Sequence, residues 1–265
     1  MKKALLIIAI IIVLVLIGGV VTSIVLKATQ TLENPVATIK FQGYEQVVTI
    51  ELYPEYAENT VTNFITLANN GFYNGLKIHR VEESLIQGGD INGDGTGSPK
   101  LSAIDTNIEK DSESDKEYAI PGEIYNNGYR NSKVKFERGV IGMARGSYSS
   151  YDASLLDESY NSAGSQFFIL TENSPNLNGE YCAFGRVTSG METVDAISKV
   201  ETAVDESKNE ETGEVTKTET TRPATDIIIE SLTIDTKGVE YGRPETIDVF
   251  DVNTWYLKKY GGLSS

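Results

Sequence analysis

Arg80 and Gln87 stand close in sequence, the second opening the run Gln87-Gly-Gly-Asp90. Farther along, Gln166 precedes an aromatic pair in Asn161-Ser-Ala-Gly-Ser-Gln-Phe-Phe-Ile-Leu170. The Gln166 amide suits the polar groups of a bound ligand, and an aromatic ring beside it suits the apolar part. In a strand, successive side chains point to opposite faces, so Gln166 shares a face with Phe168 while Phe167 shares the other with Ile169. One face is expected to be packed core. The other offers an amide and an aromatic floor to a ligand. Other chemistries are excluded by composition. His79 is the only histidine, which rules out a site needing two, and Cys182 is the only cysteine, which rules out an intrachain disulfide. Cys182 lies in the apolar stretch Tyr181–Phe184 and is expected to be a buried, inert thiol. Asp90-Ile-Asn-Gly-Asp-Gly95 copies the opening of a calcium-binding loop, but the closing bidentate glutamate would fall on Leu101, so no metal is expected there.

The elements that must position these groups are short. Ala37–Phe41 and Gln46–Leu52 read as two strands joined at Gly43-Tyr-Glu45. Val61, Phe64, Ile65 and Ala68 have helical spacing, with Thr60 as the expected N-cap and Asn70-Gly71 as the stop. Met191, Val194 and Ile197 predict a second helix after a strand over Ala183–Val187, and Thr225–Ile234 alternates as a closing strand.

Several motifs recur in a fixed order. Ile78-His-Arg-Val81, Ile86-Gln-Gly-Gly-Asp90 and Gly95-Thr-Gly97 come first. Gly139-Val-Ile-Gly-Met-Ala-Arg-Gly146, the Gln166 segment and Leu177-Asn-Gly-Glu-Tyr-Cys-Ala-Phe-Gly-Arg-Val187 follow. In order and spacing they resemble the cyclophilin family of peptidyl-prolyl isomerases, from about Ala37 to about Asp235. The resemblance implies a mainly-β fold, a closed antiparallel barrel capped by two α-helices. It also implies a substrate that is an X-Pro segment of an extended chain, and no cofactor.

That reaction needs no nucleophile, metal or redox group. Rotation about an X-Pro bond crosses a barrier of roughly 18–20 kcal/mol and takes tens to hundreds of seconds unaided. The twisted transition state loses amide resonance, so the prolyl nitrogen becomes more basic, and a fixed cationic donor beside it favours the twisted form over either planar one. By resemblance, Arg80 is that catalytic donor and Gln87 the catalytic amide that orients it. Gln166 holds substrate backbone, Phe168 floors the proline pocket, and Leu177 and Leu85 wall it. Tyr181 stands where many members carry histidine. Ala144, Arg145 and Gly146 occupy the peptide-binding edge, and Gly95 lines the adjoining subsite. His79 is expected to be a hydrogen-bonded structural residue. One departure stands out: the segment between Arg80 and Gln87 is one residue shorter than the family pattern, which puts Ser84 where the family has a pocket phenylalanine. A lost aromatic wall predicts a looser grip on proline unless an insertion replaces it. It is also the argument for a rival reading, a catalytically weak or inactive proline-peptide-binding chaperone or scaffold at the cell surface.

The formal charge of −15 in 265 residues argues against a nucleic-acid partner. Residues 4–26 are uncharged and mostly aliphatic, following Lys2 and Lys3. As a helix this segment reaches roughly 34 Å, enough for a hydrocarbon core of about 30 Å. The expected organisation is a membrane anchor over 1–27, a tether over 28–36, and an isomerase domain over 37–235. That domain carries insertions near 98–118, 147–160 and 204–221, and a C-terminal extension follows over 236–265. The preceding lysines place the body outside the cytoplasm, held by a single span. Secretion after signal cleavage is the alternative, weakened by the length of the apolar run and the lack of an A-x-A site. The expected partners are proline-containing unfolded or exported polypeptides. The 204–221 insertion alternates Glu, Lys and Thr and reads as an exposed loop or long hairpin.

Overall fold

Alternation in the first two strands sorts their side chains. In β1 (Val36–Phe41), Ala37, Ile39 and Phe41 point inward, and in β2 (Val48–Leu52), Val48, Ile50 and Leu52 do the same. The computed structural model describes residues 33–208 and 215–261. These strands belong to an eight-stranded closed barrel with β3 (Lys77–Glu82), β4 (Leu85–Asp90), β6 (Val140–Met143), β7 (Phe167–Leu170), β8 (Cys182–Ser189) and β11 (Ile227–Asp235). The order around the barrel is β1-β11-β3-β4-β7-β6-β8-β2, every pair antiparallel. Closure leaves no open sheet edge. The proposed anchor over 4–26 lies outside the described residues. Among the described residues, no helix is long and apolar enough to cross a membrane.

Helix α1 (Glu58–Asn69) buries Val61, Phe64, Ile65 and Ala68 and packs against β8 and β11. Phe64 sits at the centre of an aromatic cluster, with ring centroids 5.1 Å from Tyr73, 5.8 Å from Phe167 and 5.2 Å from Phe184. Such pairs add about 0.5–1.5 kcal/mol each beyond area burial. The helical periodicity is as expected, but the cap is not Thr60. The helix starts two residues earlier, and its free N–H groups are taken by a carboxylate distant in sequence. Glu123 accepts from Asn59 N at 3.0 Å, Thr60 N at 2.7 Å and Thr60 Oγ1 at 2.6 Å. An anion there satisfies orphan donors and complements the helix dipole. Glu123→Gln is therefore expected to lower stability by about 1–2 kcal/mol, read as a fall in the urea midpoint with an unchanged m-value. An unchanged midpoint would refute this capping role.

The three segments read as insertions all carry regular structure among their described residues. Residues 98–118 contain a short helical turn, Leu101–Ala103, and lead into β5 (Tyr118–Ala119). Residues 147–160 end in α2 (Leu156–Tyr160). The polar alternating segment forms a hairpin of β9 (Thr202–Lys208) and β10 (Val215–Pro223), after α3 (Met191–Ile197). The C-terminal extension returns to the body: β12 (Ile247–Asp248) pairs with β5, Tyr241 packs on the core, and Phe250 meets Tyr148 at 5.2 Å. Its last element, α4 (Val252–Tyr260), leaves Tyr256 and Tyr260 exposed.

Candidate functional site

The sheet itself brings the expected site residues together. In the strand registers Arg80 faces Gln87, Gln87 faces Phe168, and Phe168 faces Gly142, so these residues form one row across β3, β4, β7 and β6. Facing residues point to the same side of a sheet. Phe167 and Ile169 belong to the main barrel core, and Phe168 belongs to a second cluster on the other side, as the alternation predicted.

Hydrogen bonds link the polar members of this row. Arg80 Nη1 donates to Gln87 Oε1 at 3.0 Å, and Gln87 Nε2 donates to Gln166 Oε1 at 3.0 Å. Gln166 Nε2 in turn donates to the carbonyls of Gly95 at 3.1 Å and Gly97 at 3.2 Å. The far end of this chain is anchored by Asp90, which is fully buried. Its carboxylate accepts from the backbone N–H of Asp94 and Gly95, both at 2.8 Å, and of Gly97 at 2.7 Å. The calcium-like loop thus uses its first acid to organise its own backbone. Arg80 has another partner, Glu82 of the same strand, whose Oε1 accepts from Nε at 2.8 Å and Nη2 at 2.6 Å. A guanidinium has five N–H donors. Glu82 and Gln87 engage three of them, which leaves one on each terminal nitrogen for a ligand.

The apolar part lies beside this row. Phe168 is 5 % exposed, and Leu85, Ala144, Leu177 and Tyr181 pack partly buried around it. Tyr181 meets the Phe168 ring edge-on at 5.7 Å. Phe136, from the segment before β6, stacks on Phe168 at 5.7 Å with an interplanar angle of 22° and is itself 2 % exposed, so it buttresses the Phe168 ring from inside the cluster. Gly142 makes that stack possible, because a Cβ there would overlap Phe168 Cζ and lie 2.7 Å from Phe136 Cε1. An aromatic in the polar stretch Lys135-Phe-Glu137, and a glycine inside an apolar strand, were the available sequence signals.

Beyond Gln166 the surface dips into a cleft of about 160 Å³ lined by Gly95, Ala144, Arg145, Gly146 and Tyr148 among others. Arg145, one of these lining residues, is firmly packed. Its side chain is only 8 % exposed and lies between the rings of Tyr160 and Tyr181, 4.9 and 4.6 Å from their centroids. It also donates to the Glu180 and Gly146 carbonyls. The guanidinium therefore braces the cleft wall and joins the 147–160 segment to the residues just before β8.

A family model described as "Cyclophilin type peptidyl-prolyl cis-trans isomerase/CLD" matches residues 37–233. The chain belongs to this cyclophilin family. It is 38 % identical over 146 residues to peptidyl-prolyl cis-trans isomerase B of Bacillus subtilis (strain 168), covering 55 % of this chain and 78 % of the relative. A Helicobacter pylori (strain J99) peptidyl-prolyl cis-trans isomerase is 32 % identical over 176 residues, 66 % of this chain and 86 % of its own length. A Cryptosporidium parvum cyclophilin-type isomerase shares the fold at a TM-score of 0.55 and 24 % identity, covering 76 % of this chain and 98 % of that one. The same protein in the presence of the dipeptide Ala-Pro gives a TM-score of 0.54.

Two titratable groups of this cyclophilin remain. Cys182 is buried, and burial pushes its thiol up to about 12, so it stays protonated and inert. His79 is buried against expectation without a hydrogen-bond partner for either ring nitrogen among the described residues. Burial lowers its pKa, Asp90 and Asp94 raise it, Arg80 lowers it, and the net direction is down. A base held below its unfolded value of about 6.5 contributes stability that is complete above that pH and is lost as pH falls through the folded value. The urea midpoint is expected to drop as pH falls below about 6.5, and His79→Gln is expected to lose that component of the slope. Equal slopes in both proteins would sink the assignment.

Proposed function

We propose that this cyclophilin is a folding catalyst tethered by its N-terminal apolar segment outside the cytoplasm, acting on X-Pro bonds of unfolded or newly exported polypeptides. The protein is a peptidyl-prolyl cis-trans isomerase of the cyclophilin type. The observation that carries the site assignment is the row Arg80–Gln87–Phe168, with Gln166 hydrogen-bonded to Gln87. The proline ring packs against Phe168 between Leu85 and Leu177, with Tyr181 alongside. The backbone before it lies along Gln166, Gly95 and the Ala144–Gly146 edge. Arg80, oriented by Gln87 and steadied by Glu82, donates one of its remaining N–H groups as the amide twists out of plane. The donor is already in place, so little reorganisation is needed at the barrier. Phe136 stacks on the far side of the Phe168 ring and supports the pocket floor.

Exchange NMR on a short X-Pro peptide tests the reaction: catalytic amounts of protein are expected to bring cis–trans exchange from minutes to the sub-second range. Folded protein that leaves the exchange rate unchanged would overturn the catalytic reading. The tether is tested by alkaline extraction of membranes followed by N-terminal sequencing. Release into the soluble fraction with residues 1–27 missing would show a cleaved signal instead.

A further inference from the structure

Ile91 follows the loop-organising Asp90 yet stands 50 % exposed. An isolated exposed isoleucine is ordinary, but Ile91 is not isolated. With Phe72 and Ala103, both partly buried against the barrel core, it lines a cavity of about 560 Å³ between the Asp90–Ser98 loop and the 98–118 insertion. That volume lies in the range of small-ligand clefts, about 300–1,000 Å³. The walls are held in place. Asp115 accepts from Ser102 N and Asp111 N, each at 2.8 Å, and Asn70 Nδ2 donates to the Ala103 carbonyl at 2.9 Å. Lys100 and Asp111, 2.7 Å apart, close the rim as an ion pair. The insertion therefore builds a preformed hollow with apolar side chains inside and charge at its mouth.

Ser98 lines both this cavity and the cleft beside Gln166. We propose that the cavity is an additional subsite of the peptide groove, taking one large apolar side chain, aromatic or branched aliphatic, from the same client polypeptide. The inference rests on the isomerase reading above. Its occupant follows from continuity: a chain leaving the cleft past Ser98 meets the cavity next, and unfolded clients present the bulky apolar side chains that folded proteins bury. The loop from Gly95 to Ser98 spans at most about 10 Å, so the anchoring residue lies about three to five positions from the proline. Selection would then act on hydrophobicity at a distance, which favours unfolded segments over isolated X-Pro turns.

The test uses the full chain and a set of X-Pro peptides otherwise made of alanine and serine, with one phenylalanine moved stepwise along each side. For the wild type, one position is expected to lower Kd about tenfold relative to the phenylalanine-free peptide and to shift the NMR signals of Ile91 and Ala103. Thr106→Trp fills the cavity from its exposed rim, and Ile91→Asp makes its wall polar. Both are expected to abolish the tenfold step while the phenylalanine-free peptide binds as before. No step at any position, or a step that survives in both variants, overturns the subsite. Exchange catalysis without the step removes the subsite alone, whereas the step without exchange catalysis removes the isomerase reading alone.

Discussion

Arg80→Ala is expected to lower kcat/KM for a short X-Pro peptide by about 10²–10³-fold, the usual cost of deleting one preorganised donor to the transition state. Stability should barely change. The Arg80 side chain is 41 % exposed, and its pair with Glu82 is the kind of surface contact that contributes about 0–1 kcal/mol. Most of the loss should fall on kcat, because the ground-state amide is planar and its nitrogen is a poor acceptor. Arg80→Lys is the sharper variant. It keeps the charge but loses the planar fork that reaches Gln87 and Glu82 together. If orientation matters as much as charge, lysine should recover little of the rate, and exchange NMR beside a denaturation curve separates the cases. A folded Arg80→Ala protein with wild-type kcat would remove Arg80 from the chemistry.

Gly142→Ala is the second large effect. An added methyl at this position collides with both rings of the Phe136–Phe168 stack. Overpacking of this kind costs about 1–3 kcal/mol, and here the strain displaces the proposed floor of the proline pocket. A raised KM is expected together with a lowered urea midpoint. Phe136→Leu removes the stacked ring and should be destabilising alone, yet it makes room for the methyl. The double variant Phe136→Leu/Gly142→Ala should therefore be more stable than the two single changes predict, with a coupling of about 1 kcal/mol or more. Strict additivity would show that the glycine is not there to admit Phe136.

Much of this site was legible before any tertiary information. The alternation at Gln166–Ile169 separates Phe167 and Ile169, in the barrel core, from Phe168, in the second cluster, since that depends only on the two-residue repeat of a strand. Ser84 likewise reads directly as a missing aromatic. The buttress behind Phe168 does not, because Phe136 lies far along the chain and reaches Phe168 only after β6 pairs with β7. The same limit explains the cap of α1. Thr60 has the residue type of an N-cap, yet Glu123, distant in sequence, supplies the carboxylate. Arg145 is similar: nothing in Met143-Ala-Arg-Gly146 signals that its guanidinium lies between two tyrosine rings, because Tyr160 and Tyr181 come together around it only in the folded chain.

By itself the sequence determined the residue types available for chemistry, the faces they share within each strand, and the periodic core of α1 and the barrel strands. Those properties follow from neighbours a few positions apart. Only the tertiary structure decided that β4 lies between β3 and β7, which places Arg80, Gln87 and Phe168 in one row. It also decided which distant side chains buttress Phe168, cap the helix and brace the cleft. Strand order and through-space contacts are set by the joint burial of apolar faces contributed from the whole chain, and no local repeat encodes them.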